Sequence, residues 1–404
     1  MKIILRDYQK RAIEKIKWAL TVDGNDVISL PTGAGKSIVI AELANYLDQD
    51  ILILQPSKEI LEQNKAKLSL YVGQDEIGVY SASLSEKVIK KYTFATIGSI
   101  YKIPEQFSHF KIVILDECHL LNPKDTGSMF SSFLKAIGVK KVIGFTATPY
   151  RIFPTYFREA NGVLYRTSAI KIITRVRPLF WNRILFNINI TELTALGYLS
   201  PIKYIDRTTI DQEIIPRNKS NTDFDLEAYE KMIWARDKDI VELVKFASNK
   251  FKAVLVFCNS IAQSDRLNGY FENSETVSSK SKPDERKRII NGFKDGSIKI
   301  VFNVGVLTTG FDMPSLDCIV LLRPTRSVAL YYQMLGRGVR ICEGKTHCTV
   351  IDYSDSVKKI GRLETIKLDK VGGMWDIVTE TQNWHGVELY RVEAKKPEQP
   401  KLVV

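Results

Sequence analysis

The chain has 404 residues, 45% hydrophobic and 26% charged, an ordinary balance for a folded protein and enough length for two or three domains. No apolar run approaches the roughly 18 residues of a membrane span, and the apolar part of the N-terminus is too short for a signal peptide, so a cytoplasmic protein without a membrane partner is expected. The cysteines at 118, 258, 318, 342 and 348 form no CxxC pair, which argues against a disulfide framework or a standard zinc site; the net charge of +12 suits a polyanionic partner, although it also serves solubility.

Residues 5–20 read as a helix with Tyr8, Ala12, Ile16 and Leu20 on one face. An apolar run at Val27 and Ile28 then leads into Leu30-Pro31-Thr32-Gly33-Ala34-Gly35-Lys36-Ser37, and a helical pattern follows. Strand, glycine loop and helix in this order make a phosphate cradle: Gly33 and Gly35 let backbone N–H groups converge, and the helix N-terminus adds its dipole. Lys36 supplies a charge for the outer phosphates, and the Ser37 hydroxyl can ligate Mg²⁺. The first glycine of the usual pattern is replaced by Leu30. Upstream, the Gln9 amide can both donate and accept, which suits the edge of adenine, or it can be plain helix surface.

Short apolar runs then alternate with helical patterns. Strands are expected at 51–54, 93–96, 111–115 and 142–145, and Ser57 is expected to cap a helix reaching about residue 70. Such alternation predicts a parallel sheet, whose ligands bind beyond the carboxyl ends of the strands. The glycine loop, the pair Asp116-Glu117 and Thr146 all fall at those ends. One carboxylate of the pair can hold Mg²⁺, and its neighbour can activate a water.

Residues 150–190 break the pattern. Arg151, Arg158, Arg166, Lys171, Arg175, Arg177 and Arg183 face one acid, Glu159, with aromatics such as Phe153, Phe180 and Trp181 interleaved. This composition suits phosphate attraction and base stacking, or packing of an insert onto a lobe. Residues 206–236 read as a polar linker. A second alternation follows, with strands at 253–257, 298–302 and 316–322, helices at 260–271 and 328–336, and a closing strand at 347–352. It has no glycine–lysine–serine loop, but it carries Thr308-Thr309-Gly310-Phe311-Asp312 and Gln333 to Arg340. Arg337 and Arg340 can reach a γ-phosphate from the opposite lobe. Beyond residue 354, Gly372-Gly373 predicts a strand pair packed back on the second lobe, and residues 395–404 are expected to be disordered.

Together, Leu5-Arg6-Asp7-Tyr8-Gln9, Pro31 to Ser37, Gln55-Pro56-Ser57, Asp116-Glu117-Cys118-His119, Thr146 to Pro149, Val256 to Ser260, Thr308 to Asp312 and Gln333 to Arg340 resemble superfamily 2 helicases of the DECH-box kind, in the expected order. The likeness extends to RadD-type repair helicases and UvsW-like phage branch-migration helicases, through residues 303–312, Leu322-Arg323-Pro324-Thr325 and Gly197-Tyr198-Leu199-Ser200-Pro201. RadD's cysteine-rich zinc region has no counterpart here.

The resemblance implies an α/β fold of two RecA-like doubly wound lobes with a basic inter-lobe insert, divided as 1–149, 150–236, 237–353 and a C-terminal extension 354–404. It implies ATP and Mg²⁺ between the lobes. Arg6 and Gln9 would recognise adenine; Thr32, Gly33, Ala34, Gly35, Lys36 and Ser37 would hold phosphate. Ser37 and Asp116 would hold the metal, and Glu117 would be the base. Gln333 and His119 would couple the lobes, Thr146 and Thr148 would relay closure, Asp312 would meet the ribose, and Arg337 and Arg340 would sense the γ-phosphate. Pro56, Ser57, Thr96, Asn259 and Thr308 would touch the nucleic acid, joined by Arg175, Arg177 and Arg183 from the insert. The expected enzyme is a monomeric ATP-dependent helicase that remodels single-stranded, forked or junction DNA in recombination and repair. The alternatives are an RNA helicase and the motor subunit of a restriction or nuclease assembly.

Overall fold

The computed structural model describes residues 3–125, 127–158, 163–220, 222–308, 310–380 and 388–393. The strands, in chain order, are β1 (Asn25–Ser29), β2 (Ile51–Gln55), β3 (Ile77–Ser81), β4 (Glu86–Lys87), β5 (Tyr92–Thr96), β6 (Ile112–Asp116), β7 (Lys141–Thr146), β8 (Tyr150–Arg158), β9 (Leu164–Ile172), β10 (Trp181–Asn187), β11 (Ile202–Asp206), β12 (Val254–Phe257), β13 (Ser274–Val277), β14 (Ile300–Asn303), β15 (Cys318–Leu321), β16 (Cys348–Asp352), β17 (Lys367–Val371), β18 (Met374–Val378) and β19 (Glu388–Glu393).

Two sheets organise the chain. The first runs β10-β1-β7-β6-β2-β5-β3-β4 and is parallel except for the β3–β4 pair. The second runs β11-β16-β15-β12-β14-β13 and is parallel throughout. A parallel strand covered on both faces needs a continuous apolar run, and Ile51, Leu52, Ile53 and Leu54 are all fully buried. Helix α1 (Asp7–Ala19) lays Tyr8, Ala12, Ile13, Ile16 and Ala19 against the first lobe, while Leu20 is only half-buried. Helix α2 (Lys36–Leu47) begins at the glycine loop. Helix α3 (Lys58–Leu68) is capped by the Ser57 hydroxyl, which accepts from the Ile60 N–H at 3.4 Å. Leu30 continues β1: its N–H donates to the Thr146 carbonyl at 3.0 Å, and its side chain is fully buried. A glycine would have wasted that packing.

The stretch 150–236 is not a separate insert. Strand β10 lies parallel to β1 at the edge of the first sheet, and β11 pairs with β16 in the second. The Trp181 ring occupies the place where a Cβ on Gly144 would stand, only 2.6 Å away, so this tryptophan is core and unavailable to stack on bases. Arg183 likewise is not a free cation. Its Nε lies 2.7 Å from Oδ1 of fully buried Asp26, whose Oδ2 accepts from Lys141 Nζ at 2.7 Å. A buried carboxylate needs such partners, and two cations supply them. Arg175 is half-buried and Arg177 is exposed.

Between β7 and β10 in the chain, β8 and β9 form an antiparallel hairpin, to whose β9 edge β19 adds. The expected polar linker is partly core as well. Ile210, Ile215, Phe224, Tyr229 and Ile233 are buried in the second lobe, and the Asp223 carboxylate accepts from the Arg326 N–H at 2.8 Å. The strand at 347–352 does not close the second sheet, because β11 lies outside it. The hairpin β17–β18 turns at Gly372-Gly373 as expected, but it meets the first lobe: Asn187 Nδ2 donates to the Leu368 carbonyl, and Leu368 N–H to Asn189 Oδ1. The expectation of disorder at 395–404 lies outside the described residues.

Removing the shared counter-charge of two cations is costly. Asp26→Ala is expected to destabilise the protein by about 3–5 kcal/mol, read from urea denaturation, because it leaves Lys141 buried and unpaired.

Candidate functional site

The carboxyl end of the first sheet faces a cavity of about 520 Å³, whose other wall is the second lobe. Its walls come from the glycine loop, from Asp116 and Glu117 at the end of β6, and from Asp312, Arg337 and Arg340 of the second lobe. Gly33 and Gly35 adopt φ of +82° and +76°, which an L side chain resists. A Cβ on Gly35 would also lie 2.7 Å from Gln9 Nε2. The loop therefore has the shape in which backbone N–H groups turn towards an anion at the start of α2.

Gln9 is not in the cavity wall. It is 2% exposed, its Oε1 accepts from the Arg6 N–H at 2.9 Å, and its Nε2 reaches the Ala34 carbonyl at 3.3 Å. Tyr8 donates to the same carbonyl at 2.7 Å. Both side chains brace the loop from behind, so the amide expected at the edge of adenine is already engaged. Arg6 does line the cavity, with its guanidinium 4.2 Å from the ring centre of Tyr198.

Lys36 Nζ lies 2.6 Å from Glu117 Oε1 and 4.0 Å from Asp116 Oδ1. Burial opposes the charge on Lys36, but the two carboxylates outweigh it and raise its pKa. Burial likewise opposes ionisation of Glu117, yet Lys36 and His119 beside it hold its carboxyl well below the usual range. Burial dominates at Asp116 and pushes it up, only partly offset by Lys36. Glu117 has left-handed backbone, φ +47° and ψ +48°, an uncommon state for a non-glycine residue that turns the chain directly after β6.

A chain of hydrogen bonds crosses the cleft. Gln333 Nε2, on the second lobe, is 3.5 Å from His119 Nε2. His119 Nδ1 is 2.8 Å from Thr146 Oγ1, which donates to Glu117 Oε2 at 3.4 Å. The tautomer with hydrogen on Nδ1 satisfies every link. The Thr148 N–H also donates to Thr146 Oγ1, at 3.0 Å. On the opposite wall, Arg337 donates to the Phe311 and Thr308 carbonyls at 2.8 and 2.7 Å, and burial pushes its pKa down. Arg340 pairs with Asp312 Oδ1 at 2.8 Å and also donates to the Phe311 carbonyl.

The residues expected at nucleic acid fall in two groups. Pro56, Ser57 and Thr96 are half-buried at the ends of β2 and β5. Asn259 and Thr308 are buried at 5% and 7% exposure, and both side-chain amide atoms of Asn259 lack a partner among the described residues. Between the lobes, Gln63 Nε2 donates to the Gly310 carbonyl at 2.6 Å, and Arg286 lies 3.5 Å from Glu59.

The sequence assigns no role to three residues at the site. Tyr198 lies in the stretch 197–201 but leaves no periodic signal, because it stands between elements. Gln63 is an ordinary helix-surface residue until the second lobe arrives. Asn64 does leave a trace: it is a polar residue on the apolar stripe Ile60, Leu61, Leu68 of α3, and it donates to Asp116 Oδ2 at 3.0 Å.

Known proteins are similar to this chain in sequence and fold. The family described as "Type III restriction enzyme, res subunit" matches residues 2–151, and the family "Helicase conserved C-terminal domain" matches residues 235–342. The putative ATP-dependent helicase IRC3 of Saccharomyces cerevisiae is 27% identical over 87% of this chain, which spans 51% of that protein. The DNA 3'-5' translocase XPB2 of Sulfurisphaera tokodaii is 24% identical over 84% of this chain and 79% of its own length. In fold, the chain is similar to a fragment of a putative HsdR subunit of a type I restriction enzyme from Vibrio vulnificus, with a TM-score of 0.65 at 21% identity, covering 89% of this chain and 66% of that one. The chain thus carries, in tandem on two RecA-like lobes, the domains of these two families.

Proposed function

We propose that this chain is an ATP-driven motor that translocates on DNA and separates or branch-migrates forked and junction DNA in recombination and repair. The observation that carries the motor reading is the unbroken chain from Gln333 through His119 and Thr146 to Glu117, which ties the state of the hydrolytic carboxylate to the position of the second lobe. Closure of the cleft would complete it, and opening would break it. The preference for DNA rests on the name of one relative, the DNA 3'-5' translocase XPB2, and on the net charge of +12.

In this reading the glycine loop and α2 grip the phosphates, and Arg6 with Tyr198 offers a flat cationic face to the base. Ser37 and Asp116 would hold Mg²⁺; the deep, hydrogen-bonded carboxylate and the hydroxyl at the head of α2 are hard oxygen donors of the kind that cation takes. When bound, Mg²⁺ neutralises charge building on the phosphoryl oxygens. Glu117, kept ionised beside Lys36, orients and deprotonates the attacking water. Arg337 holds the Thr308 and Phe311 carbonyls, while Arg340 swings from Asp312 to the transferring phosphoryl group. Asp312 is then free for the ribose. Pro56, Ser57, Thr96, Asn259 and Thr308 grip the backbone of one strand without reading bases, so little sequence preference follows. The hairpin β8–β9, rooted directly after Thr148-Pro149, stands where strands would part. Arg151 at its base donates to the His119 and Leu120 carbonyls.

The fold shared with the HsdR fragment favours a second reading, the motor of a restriction assembly. Incubation with duplex DNA, Mg²⁺ and ATP separates the two: cleavage products support the assembly, and strand displacement without cleavage supports the helicase. Matched DNA and RNA strands compared for ATPase stimulation decide the polymer.

Glu117→Gln is expected to abolish turnover while retaining nucleotide, because the shape of the site survives and only water activation is lost; Lys36→Ala should weaken nucleotide binding itself. Filter binding and steady-state ATPase assays distinguish the two outcomes, and near wild-type turnover in Glu117→Gln would remove the base assignment. Arg340→Ala should slow ATP turnover by about 10³-fold or more with nucleotide-free DNA affinity unchanged; normal ATPase with weak DNA binding would move Arg340 to the nucleic acid. Replacing residues 155–166 by a short glycine turn should spare ATPase on single-stranded DNA and remove unwinding of a forked duplex, whereas equal loss of both would leave the hairpin a structural element.

A further inference from the structure

Asn64 is 2% exposed, on a helix face otherwise apolar. Burying an amide there is costly unless its hydrogen bonds do something the fold needs. Its Nδ2 donates to Asp116 Oδ2 at 3.0 Å, and the other carboxylate oxygen, Oδ1, accepts from the Glu117 N–H at 2.9 Å. Each oxygen thus has one fixed donor, and the plane of the carboxylate is set. The nearest cation, Lys36, is 4.0 Å from Oδ1 and gives its short contact to Glu117 instead. An amide orients a carboxylate without cancelling its charge; a lysine or arginine at position 64 would compete with a bound cation for the same oxygens. The Asn64 Oδ1 has no partner among the described residues, so Asp116 is the one side chain that rewards burying this amide.

We propose that Asn64 is a positioning residue for the metal: its Nδ2–H holds Asp116 turned so that an oxygen remains directed at a divalent cation bound with the nucleotide. This rests on the assignment of Asp116 to Mg²⁺ above. Groups that orient a metal ligand typically govern affinity for the metal by about 10–100-fold without touching it.

The test uses the full chain saturated with ADP and Mn²⁺ as a paramagnetic probe in place of Mg²⁺. Asn64→Leu removes the donor at similar volume. Free Mn²⁺, read by electron paramagnetic resonance, should report affinity weakened by about tenfold, while the affinity for a fluorescent ADP in EDTA stays at the wild-type value. Unchanged Mn²⁺ affinity would overturn the proposal. So would an equal loss of ADP binding with and without metal, since that marks a purely structural role. If Asn64→Leu does not melt at the wild-type temperature, Asn64→Ala, which removes the same donor without adding bulk, carries the test. Asp116→Asn is measured alongside. If it also leaves Mn²⁺ affinity intact, the metal assignment of Asp116 fails; if it abolishes binding while Asn64→Leu does not, only the positioning role falls.

Discussion

Lys36 and Glu117, with side chains 15% and 12% exposed, meet at 2.6 Å in the cleft, and the rest of the site is arranged around that contact. Charges so little exposed are screened weakly by solvent and favour local partners. The cavity wall does this in pairs: Lys36 against Glu117 and Asp116 on one side, Arg340 against Asp312 on the other. A polyphosphate entering here adds negative charge to a set already matched. Under the proposed reading it is accepted only as Lys36 and Arg340 release their carboxylates and a divalent cation joins Asp116. Exchange of ion pairs, rather than creation of new ones, is then the first event of the cycle.

That exchange is felt by the second lobe through short polar links. Gln333 to His119, Gln63 to the Gly310 carbonyl, and Arg286 to Glu59 all span the cleft. None is strong enough to lock the lobes, since each is a single polar contact of modest net energy. Under the proposed reading, contacts of this size, one adjoining the hydrolytic pair and one ending on the Gly310 carbonyl, let the cleft open and close under the binding energy of a nucleotide. The neighbouring residues Gln63 and Asn64 on α3 show how closely the two tasks are packed: one side chain reaches the second lobe, and the next reaches Asp116.

Charge composition misled where geometry decides. The cations of 150–190 look alike as letters, yet Arg183 is spent on Asp26 of the adjacent strand, Arg151 on carbonyls beside His119, and Arg177 is exposed. Trp181 looks like a base-stacking ring and is core, because Gly144 opposite leaves room for it. Such pairings join residues more than 30 positions apart, so no local window contains them.

Local patterning determined a good deal of this protein. Continuous apolar runs announced β2, β6, β12 and β15, since strands buried on both faces admit little else. The glycine–lysine–serine loop announced a phosphate site, because few other backbones can curl that way. Tertiary structure alone decided the assignment of β10 and β11 to opposite sheets, the packing of 210–233 as core, and the docking of the β17–β18 hairpin on the first lobe. It also decided that Gln9 faces the loop and not the open cavity, that Tyr198 stands over Arg6, and that Asn64 holds Asp116. The reason is the same throughout: helix and strand periodicity report which face of an element is apolar, whereas the partner of a polar side chain is set by which elements the fold brings together.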